Sequence, residues 1–251
     1  MANWSDRNVG VNPQSSEAAR AGAREVAYDA GLRSYMLRVY NYMASGVLLT
    51  GIVAMLFARG GDSSPAFQLF SQGGILAWLV ILAPLAFVLV MSFGMNRLST
   101  GALHALFWAF AVAMGLSLST VFLTYTQTSI AQTFFATSAA FVSLSLWGYT
   151  TKKDLSGWGT FLLMGLVGLI VAMVINMFLQ STTAGLVISA LGVLIFAGLT
   201  AYDTQRIKSV YFQVAGHGEA MAKATIMGAL NLYLDFINMF LFLLQFMGGR
   251  E

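Results

Sequence analysis

Charged side chains leave long blanks along this chain. None occurs in 39–58, 63–96, 98–151 or 155–202, stretches of 20, 34, 54 and 48 residues, whereas a helix needs only about 20 apolar residues to cross a bilayer. The second blank opens on a polar loop, 63–73, and leaves one span at 74–95, where Pro84 frees the carbonyl of Val80 and predicts a kink. The third blank is too long for one helix. It breaks at Thr126, Gln127, Thr128 and Ser129 into spans at 102–125 and 131–150. The fourth breaks at Gln180, Ser181 and Thr182 into spans at 159–179 and 183–203. With 35–57 in front and 225–247 behind, where Asp235 is the single charge, the pattern predicts an all-α polytopic membrane protein: a bundle of seven transmembrane helices. Ala111, Gly115 and Ser119 form a small-residue stripe on the third span that suits close helix packing.

Ahead of the spans, 1–15 is polar and lacks the apolar core of a cleavable signal peptide. The Ala-rich stretch 16–34 carries Glu17, Arg20, Arg24, Glu25, Asp29 and Arg33, a composition equally suited to a helix on the membrane surface and to a disordered tail. The expected organisation is a polar tail, 1–34, followed by one membrane domain, 35–251, with no soluble domain.

Composition strengthens this reading. Hydrophobic residues make up 58% of the chain and charged ones 9%, against roughly 25% charged in a soluble domain. The absence of cysteine excludes disulfides, thiolate nucleophiles and Cys-based metal sites. A net charge of only +3, without a basic cluster interleaved with aromatics, argues against a nucleic-acid partner. The basic excess reads instead as topology. With the amino terminus inside, the inner segments hold eleven Lys and Arg and the outer ones only Arg59 and Arg250. The positive-inside rule therefore predicts a cytoplasmic amino terminus.

Candidate chemistry sits on the last two spans. Asp203 and Asp235 are the only acids within the expected hydrocarbon layer. Each would cost roughly 2.5–3.5 kcal/mol at mid-membrane if charged and alone, which marks both as functional candidates; a neutral aspartic acid gluing two helices is the structural alternative. Asn231, Asp235, Asn238 and Gln245 follow spacings of 4, 3 and 7 and fall within roughly 80° of arc at 100° per residue. Lipid cannot face that stripe, so it looks into the bundle, onto either a polar packing network or a hydrated ion path. Helix counting places the two aspartates one to two turns apart in depth. His104, near the inner end of the third span, suits an interfacial hydrogen bond and, alternatively, tuning of the aspartates' titration. Gly-x-Gly-Asp and Pro-Ala-Leu segments, a Schiff-base lysine in the last span, phosphate loops and HExxH motifs are all missing, so no enzyme is expected.

The segments Gly-Leu-Thr-Ala-Tyr-Asp-Thr-Gln-Arg-Ile-Lys at 198–208 and Asn-Leu-Tyr-Leu-Asp-Phe-Ile-Asn-Met-Phe-Leu-Phe-Leu-Leu at 231–243 and its next residue resemble the last two helices of the Bax inhibitor-1 family, the transmembrane Bax-inhibitor-motif proteins. The resemblance runs from the first span to the seventh, on a bacterial-type chain. It implies a multi-pass protein of the bacterial inner membrane and a calcium-leak activity governed by pH. It also implies that Asp203 and Asp235 are the sensing pair and that an arginine at the end of the second span engages them, for which Arg97 is the match. The segment between the aspartates is longer here than in compact bacterial relatives, and the basic carboxyl-terminal tail of animal members is missing.

Two carboxylates in one low-dielectric site cannot both ionise cheaply, so they titrate as a unit. The expected mechanism has a singly protonated, hydrogen-bonded pair pinning the sixth and seventh helices, and loss of that proton opening a hydrated path. Calcium takes 6 to 8 oxygens, and Asp203, Asp235 and the Asn231 and Asn238 carbonyls with water make a weak site of the kind conduction needs. Calcium is expected as the transported ion, with no cofactor. The alternative is a non-transporting regulator of a membrane-bound quality-control protease, with the polar tail as its contact.

Overall fold

A computed structural model describes the backbone of residues 13–249 and the side chains of residues 29–249. Its elements are α1 (Pro13–Phe57), a 3-10 turn (Gly61–Ser63), α2 (Pro65–Gln72), α3 (Ile75–Gly94), α4 (Thr100–Leu118), α5 (Val121–Thr124), α6 (Gln127–Thr150), α7 (Ser156–Leu179), α8 (Thr182–Val214) and α9 (Gly218–Met247). Counting α4 with α5, seven of the described segments are long and apolar enough to cross a bilayer. The all-α seven-helix bundle is what the charge-free blanks predict. Of the expected tail, 1–12 lies outside the described residues, while 13–34 forms the first part of α1 and is continuous with the first span.

The polar clusters that punctuate the sequence act as helix starts. Thr126 accepts from the Ser129 N–H, Ser181 from Ala184 and Ser99 from Ala102, each satisfying one of the amide donors that a helix's first turn leaves unpaired. Ahead of α7, the Ser156 side chain and backbone N–H hold the Asp154 carboxyl below its ordinary titration range. Pro84 is buried inside α3, which continues through it to Gly94.

The last two spans are longer than their apolar content suggests. The expected limits 183–203 and 225–247 become Thr182–Val214 and Gly218–Met247. Two interactions explain how helix continues through charge. Lys208 Nζ donates to the Tyr149 carbonyl at 2.9 Å and lies 5.0 Å from the centre of the Tyr149 ring, while Lys223 pairs with Glu219 one turn away at 3.0 Å. Residues 215–217 join the two helices into an antiparallel hairpin, with Gly216 at φ 88°, a conformation glycine adopts freely.

Packing makes α9 the axis of the bundle. It contacts α8, α1, α6 and α4, and 67% of its most apolar window is buried, against 11% for α7. At the other extreme α3 leans on α4, and α7 packs chiefly on α8. Their outward faces carry Phe93 and Phe178, 83% and 79% exposed, an apolar surface that water would not tolerate but lipid does.

The small-residue stripe does what its spacing predicts. A side chain at Gly115 would fall 2.7 Å from Val53 Cβ and 2.8 Å from the Thr50 carbonyl, so α4 lies directly on α1 there. The same seam holds a buried relay: Thr50 Oγ1 donates to the Ala111 carbonyl at 2.8 Å and lies 2.6 Å from Tyr233 Oη. Because the threonine proton is committed to the carbonyl, Tyr233 is the donor in the second bond. Removing it with Tyr233→Phe should lower stability by about 0.5–1.5 kcal/mol. Thermal unfolding in detergent checks this, and an unchanged transition would show that the bond contributes nothing.

Candidate functional site

Successive residues of the Tyr-Asp-Thr-Gln segment project about 100° apart around α8 and therefore meet different neighbours. Tyr202 covers Gly159 of α7, where an added Cβ would sit 2.5 Å from the tyrosine ring. Thr204 Oγ1 donates to Ser145 Oγ of α6 at 3.4 Å. Gln205 clamps the turn between α6 and α7: its Nε2 donates to the Lys153 carbonyl at 2.8 Å, and its Oε1 accepts from the Leu155 N–H at 2.8 Å. Asp203 is left facing the space between α7, α8 and α9.

That space is a cavity of about 480 Å³. Its apolar wall comes from Leu163, Leu166, Leu169, Ile170 and Met173 of α7, and its polar wall from Tyr202, Asp203, Arg206, Asn231, Asp235 and Asn238. Asp235 is 4% exposed, and its Oδ2 has no hydrogen-bond partner. Among the described residues the only other buried side-chain oxygen or nitrogen in that condition is Tyr35 Oη. Asn238 Nδ2 donates to the Leu234 carbonyl at 2.8 Å, leaving its own carbonyl oxygen as an acceptor.

The two aspartates share this chamber without a hydrogen bond between them. Asp203 precedes the end of α8 at Val214 by 11 residues, and Asp235 follows the start of α9 at Gly218 by 17; at 1.5 Å per residue the offset along the hairpin is about 9 Å. This corrects the expectation of a hydrogen-bonded pair: what the two carboxyls have in common is the cavity they line. The cation on the same cavity wall is Arg206, three residues from Asp203 on its own helix.

Arg97 stands exposed in the turn between α3 and α4 and does not line the chamber. His104 lies on the α1–α4 seam, its Nδ1 2.9 Å from Tyr42 Oη. Sequence reasoning overlooked both Arg206 and Gln205. The position of Arg206, three residues from Asp203, was a usable signal for the first; the partners of Gln205, about 50 residues away, left none.

The stripe on α9 also divides. Asn231, Asp235 and Asn238 line the aspartate chamber, whereas Gln245 lines a second cavity of about 240 Å³ with Asn176, Gln180, Ser181, Thr182, Gly185 and Leu186. Phe242, between Asn238 and Gln245 along α9, lines the aspartate chamber but not the second cavity, and stacks on Phe196 of the same chamber wall, with ring centres 5.9 Å apart and planes 24° apart.

No cluster of three or more His, Cys, Asp or Glu occurs among the described residues. The chamber therefore offers a cation at most two carboxylates, with neutral carbonyls and water completing its shell.

Comparison with known proteins agrees with this architecture. The family model described as "Inhibitor of apoptosis-promoting Bax1" matches residues 32–251. An uncharacterized protein of Caulobacter vibrioides is 47% identical, the match covering 92% of this chain and 94% of the relative. An uncharacterized protein of Rickettsia prowazekii is 44% identical, covering 91% and 95%. The Escherichia coli inner membrane protein YbhL is 42% identical, covering 88% and 94%. With these identities running through nearly the whole lengths of the relatives, the chain belongs to the Bax inhibitor family of multi-pass membrane proteins.

Proposed function

We propose that this protein is a calcium leak pathway that opens when Asp203 and Asp235 lose the proton they share. The observation that carries the reading is the buried, unpartnered Oδ2 of Asp235 in a chamber shared with Asp203. A buried polar atom without a partner costs about 1–3 kcal/mol, more if charged. Its retention in the most buried helix is accounted for if a proton, water or passing cation is its partner.

In this mechanism the carboxylates act through space rather than through a mutual hydrogen bond. While the pair keeps one proton, a single negative charge faces the Arg206 guanidinium, and the chamber is close to neutral. Loss of the shared proton leaves two like charges in a site of low dielectric. Repulsion then loosens the α8–α9 hairpin, and the doubly charged wall draws in a divalent cation. The remaining titratable side chain on the chamber wall is Tyr202. Asn231 and Asn238 supply neutral oxygens. The protein transports and does not catalyse.

The proposed setting is a bacterial inner membrane with the amino terminus and the 95–99, 151–155 and 215–217 turns in the cytoplasm, as the Lys and Arg bias requires. A cysteine appended after residue 251 should then react with a membrane-impermeant thiol reagent applied to intact cells stripped of their outer membrane, whereas one at residue 2 should not. The reverse pattern would invert the topology.

The functional test uses liposomes containing only the purified protein and a calcium-sensitive dye inside. Calcium should enter at least several-fold faster than into empty liposomes. Calcium entry no faster than in empty liposomes, combined with altered protease activity on co-reconstitution, would favour the non-transporting regulator.

A further inference from the structure

We propose that the ion path contains a second, outer vestibule around Gln245, and that the Phe196–Phe242 stack is the dry constriction separating it from the aspartate chamber; this rests on the ion-path reading above. The first argument is periodicity. On α9 the polar stripe steps through Asn231, Asp235 and Asn238 to Gln245, and the position a further 4 residues beyond Asn238 is Phe242. At helical spacing Phe242 belongs to the same face and is the apolar member interrupting it. It is 7% exposed, so it is packed across the stripe rather than turned to lipid.

The second argument comes from the facing helix. On α8 the matching face reads Gly185, Ser189, Gly192 and Phe196, at spacings of 4, 3 and 4. Ser189 is fully buried and turns its hydroxyl back to the Gly185 carbonyl at 2.8 Å, offering little bulk or polarity to the gap. Gly192 admits the phenylalanine itself: a Cβ there would lie 2.5 Å from Cγ of Phe242. The small face of α8 thus receives one ring, Phe196 closes over it, and the seal is made where the two polar cavities would otherwise join.

The third argument is the chemistry on either side. Below the stack lies the chamber with Asp203, Asp235 and two asparagines; above it lies the 240 Å³ cavity, lined by amides and hydroxyls without a charged group. A neutral polar vestibule admits a hydrated cation without trapping it, and an aromatic neck holds no water to replace its shell. This is the arrangement in which a pore closes by dewetting. Opening then requires movement of α9 against α8, the same hairpin on which both aspartates sit.

The chain contains no cysteine, so single cysteines report access on an otherwise silent background. A charged, membrane-impermeant thiol reagent applied from the face where α9 ends should modify Gln245→Cys readily and Asn238→Cys at least tenfold more slowly. Adding Phe242→Ala should bring Asn238→Cys to within a few-fold of Gln245→Cys, while leaving the latter unchanged, which also shows that the fold survives. If the alanine variant does not fold, Gly192→Ala decides the same question, because its methyl group displaces the ring. Equal reactivity of the two cysteines with Phe242 intact would overturn the constriction, as would continued protection of Asn238→Cys in folded Phe242→Ala or Gly192→Ala protein. Calcium entry into liposomes should rise several-fold in Phe242→Ala. If access opens while no variant carries calcium at any pH, the constriction stands and the calcium reading falls.

Discussion

A valine at position 148 should prevent the bundle from assembling. Gly148 is where α6 lies against the α8 backbone. A Cβ added there would run into the Ala201 carbonyl oxygen and stand 3.0 Å from both the Ala201 carbonyl carbon and its Cα. No rotamer change relieves a collision with backbone, so the helices must separate, and Ser145, Thr204 and the Gln205 clamp separate with them. Overpacking of a well-filled interior typically costs about 1–3 kcal/mol. Gly148→Ala should approach the upper end of that range, and Gly148→Val should exceed it and yield aggregated protein in detergent. Gly157, with nothing within 4 Å of its Cβ position, is the control, and Gly157→Ala should be close to neutral. Size-exclusion profiles and thermal unfolding of the three variants check this. Equal behaviour at the two positions would mean that the α6–α8 seam is looser than its geometry.

The second large effect belongs to the aspartates. An opening step linked to one proton can change its equilibrium by up to tenfold per pH unit, since one unit is about 1.36 kcal/mol. Either Asp203→Asn or Asp235→Asn should reduce the pH response of calcium entry to less than about twofold per unit, because the remaining carboxylate has lost the partner with which it shares a proton. The double variant should be little different from either single one, as expected for groups acting as a unit. Additive losses would instead show two independent titrations, and the shared chamber would not be the sensor.

Most of the architecture was legible because bilayer insertion is decided by runs of side chains that lipid accepts, and those runs are local. The spans, the Ala111, Gly115 and Ser119 stripe and the inward-facing Asn231, Asp235 and Asn238 all follow from spacing along one helix. The less legible features depend on partners remote in sequence. α8 continues past Asp203 because Lys208 finds the Tyr149 carbonyl, a contact hydropathy does not register. Gln205 reads as one polar residue among several, yet both ends of its amide hold the 151–155 turn. The polar stripe was read as continuous through Gln245 because helical spacing shows which face a residue shares, but not which aromatic ring of another helix crosses it. Arg97 is implied by the resemblance alone, and His104 by its depth near the inner end of its span. Arg97 stands in the exposed turn between α3 and α4, and depth alone does not show that His104 meets Tyr42 across the α1–α4 seam rather than the chamber.

The most direct test of the aspartate pair is calcium entry into liposomes holding the purified protein alone, followed from acidic to alkaline pH for the wild type and for Asp203→Asn. Loss of the shared proton adds charge to the chamber, so wild-type entry should climb as pH rises through the pair's titration and then level off, while the Asp203→Asn trace stays nearly flat. Superimposable pH profiles for the two proteins would contradict a sensing role for the pair, and wild-type entry that falls as pH rises would reverse the proposed direction of opening.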